Sequence, residues 1–340
     1  RSSMLTGVAI KGSAPYKHVV KNGWVNDEQG RAMSKSLGTG IDARDAIQKW
    51  GADVLRLSAA SVEFTDDVRF GPAMVDQVSR VYRNIRNRVR FMLSNLDDLP
   101  VEAIVSTESM APFDRLACSI GDAFVKAVRA DYAAFSLHDA YLRIVEFEGA
   151  VSSLYFDALK DPLYSGARDS VRRRSAQSAL LYLLECFAVA LAPVLSFTAE
   201  EAWQSLPPPL RVERESVFDL SMGIGEHVPA DPQSAPLWKV LHDLRARVAA
   251  NPDLRDFEAR VTVFAGGGTF AALSALGDNL REALVVSHVD LVQNDSEEPT
   301  VELAAAQGQK CARCWKYLPL GNDPAHPALC APCVQVVNAL

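Results

Sequence analysis

The chain has 340 residues, 49% of them hydrophobic and 23% charged, with a formal net charge of −7. That length supports two or three domains with a sizeable core, and the composition excludes a disordered, collagen-like or disulfide-scaffold protein. A negative total speaks against a uniformly basic nucleic-acid binder, though it leaves room for a local positive face. The chain opens at Arg1 in mid-pattern, as a piece of a longer protein would, and no charged-then-apolar leader points to export.

Residues 1–62 read as the end of an α/β domain. Val8-Ala9-Ile10 and the run His18 to Val25 are strand-like, and Asp27-Glu28-Gln29-Gly30 makes a turn. Ala43 to Ala60 reads as one or two short helices broken at Gly51. Between turn and helix lies Arg31-Ala32-Met33-Ser34-Lys35-Ser36-Leu37-Gly38, a basic, hydroxyl-rich loop. A loop between strand and helix leaves backbone N–H groups unpaired, and Gly38 and Gly40 allow close approach to a ligand. Lys35 supplies a point charge and Ser34 and Ser36 supply hydroxyl donors, a set suited to phosphate. The same residues would also serve in a solvated surface turn.

Residues 63–206 are helical in pattern. Val75, Val78, Tyr82, Ile85, Val89, Leu93 and Leu96 step by three and four along a helix from Pro72 to Leu99. A second helix spans roughly Phe113 to Phe135. A third starts at Ser136, where Ser136-Leu137-His138-Asp139 has the form of a capping box. A fourth runs from Val171 to Leu206 with a bend at Pro193. Four helices with short connections predict an antiparallel bundle. The apolar run Ala179 to Phe197 approaches membrane length, but Glu185, Pro193 and the nearby Arg172-Arg173-Arg174 make it a buried bundle helix.

Residues 207–300 begin with Pro207-Pro208-Pro209, which stops helix and opens a linker reaching Pro236. Leu237 to Ala250 is helical, and Arg260 to Phe264 and Leu284 to Leu291 are strand-like. Gly266-Gly267-Gly268 makes a turn between them, and Thr269 to Ala283 a helix, giving a small α/β unit. An acidic stretch, Asn294 to Glu302, separates it from the cysteine-rich residues 301–340.

Two constellations outside the loop carry chemistry. Between Val78 and Met92 there are five arginines and no acids. At ~100° per residue, Arg80, Arg83, Arg86 and Arg90 fall within an arc of about 120° opposite the apolar stripe. A single-sign face repels itself, so it fits a polyanion such as RNA, while a solvated surface is the alternative. Arg168, Arg172, Arg173 and Arg174 form a second basic cluster. Cys311-Ala312-Arg313-Cys314 and Cys330-Ala331-Pro332-Cys333 stand 15 residues apart. Two such pairs offer four thiolates that close a tetrahedral zinc site without water, a structural rather than catalytic metal. Disulfides are the alternative, and Trp315, Lys316 and Tyr317 either contact RNA or pack the knuckle. Cys118 and Cys186 sit in apolar patterns as inert core residues, and His18, His138 and His326 are isolated.

Ala32-Met33-Ser34-Lys35-Ser36 resembles the KMSKS signature of class I aminoacyl-tRNA synthetases, with Ala32 where that signature has its first lysine. Arg69, the run Tyr82-Arg83-Asn84-Ile85-Arg86-Asn87 and the run Leu195 to Trp203 resemble the isoleucine, valine and leucine branch. The ending Lys310-Cys311-Ala312-Arg313-Cys314-Trp315 with its second cysteine pair is similar to the bacterial isoleucyl-tRNA synthetases, whose C-terminal portion nearly the whole chain resembles. The resemblance implies a mostly α fold with α/β parts: the end of a Rossmann-type catalytic domain, a helical anticodon-binding bundle, a small α/β unit and a zinc knuckle. It implies a cytoplasmic, monomeric ligase that activates isoleucine with ATP and Mg²⁺ and esterifies tRNA(Ile). Lys35 would be catalytic, with Met33, Ser34 and Ser36 beside ATP and Cys311, Cys314, Cys330 and Cys333 on zinc. The HIGH-type signature, amino-acid pocket and editing domain precede this segment in the family, so the chain alone is expected to be inactive. A valine or leucine enzyme, or a non-catalytic RNA-binding zinc protein, are the competing readings.

Overall fold

The computed structural model describes residues 2–34, 40–211, 214–220, 232–296 and 298–339. At the amino end, Val8-Ala9-Ile10 is part of a helix, α1 (Ser2–Lys11), that buries none of its residues. The expected strand from His18 shrinks to β1 (Val25–Asn26), which pairs in parallel with β2 (Val68–Arg69). Strand propensity is expressed only against a partner, and among the described residues β2 is the one strand beside β1. The short helices are α2 (Ala43–Trp50) and α3 (Ala52–Ala60). Gly51 separates them with φ +87°, a left-handed conformation that glycine adopts without a Cβ clash.

The bundle follows the spacing of its apolar residues. In α4 (Pro72–Ser94), Val75, Val78, Ile85 and Val89 are buried, and Tyr82 and Leu93 pack against the same core. It ends earlier than the pattern does, at Ser94. α5 (Pro112–Ala133) meets α6 (Leu137–Ala150) through a tight turn in which Phe135 has φ +60°. The capping box does not form there. The Ser136 N–H, which Asp139 would have to accept, donates to the Asp131 carbonyl at 2.8 Å. α6 continues through a π-helical segment at 151–156 into α7 (Asp157–Ser165).

The long apolar stretch becomes α8 (Val171–Leu191), the central helix, buried all round from Arg174 to Leu191 except at Glu185. Around Pro193 the chain does not bend but breaks, and a separate α9 (Ser196–Gln204) begins. No described helix is long and apolar enough to cross a membrane. Cys118 and Cys186 lie fully buried between α5 and α8, as expected of core thiols.

After α10 (Ser234–Ala249) comes the small unit: β3 (Ala259–Ala265), α11 (Gly267–Ser274), α12 (Asn279–Leu284), β4 (His288–Gln293) and β5 (Thr300–Ala305). The single helix expected at Thr269 to Ala283 is thus two, and Leu284 closes α12 instead of opening a strand. β3 is central, parallel to β4 and antiparallel to β5, with Val261 and Val263 buried. The end of the acidic stretch is therefore a strand, not a spacer. Finally, β6 (Gln309–Lys310) and β7 (Tyr317–Leu318) pair around the first cysteine pair, and α13 (Ala331–Asn338) carries Cys333.

Candidate functional site

The loop begins from a well-anchored turn. Asp27, nearly buried, accepts the Gln29 and Arg31 N–H groups on Oδ1 at 3.0 and 2.7 Å, and the Arg31 side chain on Oδ2. The Arg31 N–H, more than any other contact, holds this carboxyl below the usual range. Asn26 then bridges to Ala32, which sets the direction in which the loop leaves. Met33 and Ser34 are half-buried, and Lys35 and Ser36 lie outside the described residues. Beyond the loop, Asp42 caps α2 by accepting the Arg44 N–H at 2.8 Å. Glu28 ties the turn to the start of α4, accepting the Ala73 N–H at 3.4 Å. A Cβ at Gly71 would stand 2.3 Å from Glu28 Oε1, so glycine is what lets the two meet.

From α3 a chain of hydrogen bonds runs to the arginine face. Asp53, 5% exposed, accepts from the Thr198 N–H at 2.7 Å and from Thr198 Oγ1 at 2.6 Å, capping α9 from outside. With that hydroxyl proton committed, the Tyr82 hydroxyl donates to Thr198 Oγ1 at 2.9 Å, and Arg86 Nη1 donates to Tyr82 at 3.4 Å. Arg86 also pairs with Glu201 through two bonds, of 2.6 and 3.0 Å. These bonds hold the Glu201 carboxyl below its ordinary range. Arg56 completes the clamp on the break before α9, donating to the Val194 and Pro193 carbonyls at 2.8 Å.

The predicted arginine face is therefore divided. Arg80, Arg83 and Arg90 are exposed and form no ion pair among the described residues. Arg86 is not opposite the apolar stripe but at its edge, next to Tyr82, which is why α9 can reach it. Arg88 points to the other flank and pairs with the buried Glu148 at 2.7 Å. Between α4 and α9 lies an open cleft of about 380 Å³, bordered by Arg83, Arg86, Arg90 and Glu201.

The second basic cluster is structural. Arg172 bonds Asp114 at 2.6 Å and Glu282 at 2.8 Å, Arg173 bonds Asp98 at 2.8 and 2.9 Å, and Arg174 bonds Asp169 at 2.6 Å. Asp114, fully buried, also accepts from Tyr155 and Ser175, at 2.7 and 2.5 Å. Only Arg168 keeps most of its side chain in solvent.

Cys311, Cys314, Cys330 and Cys333 converge as the spacing requires. All four are buried and their Sγ atoms lie within 4.8 Å of one another. Four sulfurs at ~2.3 Å from a zinc ion would be about 3.8 Å apart, and Cys314 and Cys330 are at 3.7 Å. The donor set and its closure fit a structural Zn²⁺. The knuckle is docked by its neighbours: Lys316 pairs with Asp161, Arg313 Nη1 donates to the Ser165 carbonyl, and the Tyr317 N–H donates to Ser287 Oγ at 2.8 Å. Lys316 is thus held by α7, whereas Trp315 stays 62% exposed with Lys310 above its ring.

Thr198 and Glu201 lie in the run Leu195 to Trp203 that carries the resemblance, but their bonds to Asp53 and Arg86, like that of Asp161 to Lys316, were not read from the sequence. The available signal was an acid inside an apolar helical pattern, as at Asp53 and Asp114, because such a carboxylate must find a partner when buried.

Three family descriptions match this chain: tRNA synthetases class I (I, L, M and V) at residues 1–71, the anticodon-binding domain of tRNA ligase at 114–255, and the zinc finger found in FPG and IleRS at 308–336. An isoleucine–tRNA ligase of Nitratidesulfovibrio vulgaris strain DP4 is 36% identical over 358 aligned residues, covering 99% of this chain and 38% of that protein. One from Burkholderia cenocepacia is 35% identical, covering 98% and 36%. A crystal structure of the Agrobacterium radiobacter K84 agnB2 LeuRS–tRNA–LeuAMS ternary complex aligns with a TM-score of 0.46 and 18% identity over 78% of this chain and 28% of that one. The chain spans a little over a third of the length of the curated relatives it matches. By these matches, in the order loop, helical body and cysteine knuckle, the chain belongs to the class I aminoacyl-tRNA synthetases and corresponds to a portion of the isoleucine type.

Proposed function

We propose that this chain is part of an isoleucine–tRNA ligase, which activates isoleucine with ATP and Mg²⁺ and transfers it to tRNA(Ile). The reading rests on one observation: a single alignment with isoleucine–tRNA ligases runs through 99% of the chain, spanning the loop, the arginine face and the four cysteines. In this reading residues 1–62 close the catalytic domain, 63–206 bind the anticodon arm, 207–300 connect, and 301–340 help place the tRNA. Arg80, Arg83 and Arg90 meet phosphates, with Arg86 beside them, and Cys311, Cys314, Cys330 and Cys333 hold zinc as a fold-stabilising ion.

Lys35 stabilises the negative charge that develops on the departing pyrophosphate, an interaction that strengthens towards the transition state. Ser34 and Ser36 brace the loop, and the backbone at Met33 borders the adenine. With Ala32 in place of a lysine, Lys35 is the one lysine of the signature and carries its charge alone. In the enzyme that contains this segment, Lys35→Ala should lower isoleucine-dependent ATP–pyrophosphate exchange by at least about a hundredfold while tRNA binding is retained. Exchange at the wild-type rate would overturn the assignment of the loop.

A further inference from the structure

The cleft between α4 and α9 contains a group that a phosphate-binding face does not explain. Its floor is apolar, built from the buried Val89 and Ala202, and its rim carries the exposed Arg83 and Arg90. Between them stands Glu201, its side chain 58% exposed and tied to Arg86 by two hydrogen bonds. A carboxylate repels a phosphate, so Glu201 weakens the face for the RNA backbone. What it offers is acceptance: each oxygen receives one hydrogen bond from Arg86 and keeps a further lone pair for another donor, and an ionised carboxylate donates nothing.

Base edges differ in this respect. Cytosine, adenine and guanine carry an exocyclic amino group, whereas the lone N–H donor of uracil sits between two carbonyl acceptors that would face the carboxylate. The volume suits a single small ligand, and the apolar floor suits a flat ring with its edge turned to Glu201. We propose that this cleft receives one unstacked RNA base and that Glu201, oriented by Arg86, selects a base bearing an exocyclic amino group. Arg83 and Arg90 then neutralise the phosphates on either side. This rests on the reading of the helical body as tRNA-binding and adds a specificity-determining residue to it.

Heptacytidylate and heptauridylate are the probes, titrated against the 340-residue chain as wild type, as Glu201→Gln and as the double variant Arg83→Ala/Arg90→Ala. The wild type should bind heptacytidylate on the order of tenfold more tightly than heptauridylate. Glu201→Gln keeps an oxygen for Arg86 but adds N–H donors, and should bring the two oligomers within about twofold. The double variant should weaken both by the same factor and leave their ratio intact. Equal binding to the wild type, or a preference that survives Glu201→Gln, would overturn the proposal. Failure of both oligomers to bind while a tRNA transcript binds would also overturn it, leaving the tRNA reading standing. Failure of the transcript as well would take down both.

Discussion

On α4, Arg80, Arg83 and Arg90 stand in solvent and form no ion pair among the described residues, whereas Arg172, Arg173 and Arg174 at the start of α8 are each bonded to a carboxylate. In the sequence the two stretches look alike, several arginines within a turn or two. Arg174 pairs with the nearby Asp169, but for Arg172 and Arg173 acids from elsewhere in the chain make the difference. Asp98 lies 75 residues before Arg173 and Glu282 lies 110 residues after Arg172. Such pairs join α8 to the loop after α4 and to α12, so that cluster fastens parts of the molecule together. The α4 face has charge that the fold does not use, and unused like charge on one side of a helix is what a polyanion can exploit.

The comparison breaks most visibly at Arg172. Arg172→Met would leave the fully buried Asp114 without its cation, and the expected loss is about 3–5 kcal/mol of stability, read by urea or thermal unfolding. RNA affinity of the remaining folded protein should not change. A stable variant with weakened RNA binding would put α8 in the same class as α4.

Between the extremes are the two clusters' own signatures. Removing Arg83 and Arg90 together should change stability by less than about 0.5 kcal/mol. It should also flatten the dependence of log affinity on log salt by between roughly one and two, as expected for two lost phosphate contacts. An unaltered salt slope would make the α4 face ordinary solvated surface. The α8 cluster should instead respond to acid. Burial by itself would raise the Asp98 carboxyl, but hydrogen bonds from Arg173 and Gln177 hold it down at about 2. A folded value below the unfolded one means the contribution is complete above pH ~4 and is lost as pH falls towards 2. The melting temperatures of wild type and Asp98→Asn should therefore differ more at pH 5 than at pH 2.5. A constant gap would show that Asp98 acts through shape and not through charge.

What could be read from the sequence was what depends on local spacing. The α4 core stripe, the break at Gly51 and the burial of the apolar run from Ala179 as far as Leu191, though not of Phe197 at its end, follow from residues a few positions apart. The convergence of the four cysteines follows from two such close pairs 15 residues apart. Features with distant partners could not be read that way. The strand expected from His18 depends on neighbours, and the Ser136 capping box lost its N–H to Asp131. β5 had a signal, the alternation of Val301 and Leu303 with polar residues, but the surrounding acids masked it. Within the candidate site the charges were legible and their partners were not. Glu201 sits 115 residues from Arg86, and nothing near either residue announces the other.

That last pair is the finest test of the division. Arg86 belongs by position to the α4 face and by bonding to the paired class, so a double-mutant cycle with Arg86→Ala and Glu201→Ala decides where it falls. Both side chains are substantially exposed, at 39% and 58%, so water competes for the same bonds and the coupling should be no more than about 0.5 kcal/mol. A weak internal coupling is what leaves the pair adaptable, since a ligand that bonds to Glu201 or draws on Arg86 then displaces little. A measured coupling above about 1.5 kcal/mol would place Arg86 with Arg172 as a fastener and leave Arg80, Arg83 and Arg90 as the whole of the open face.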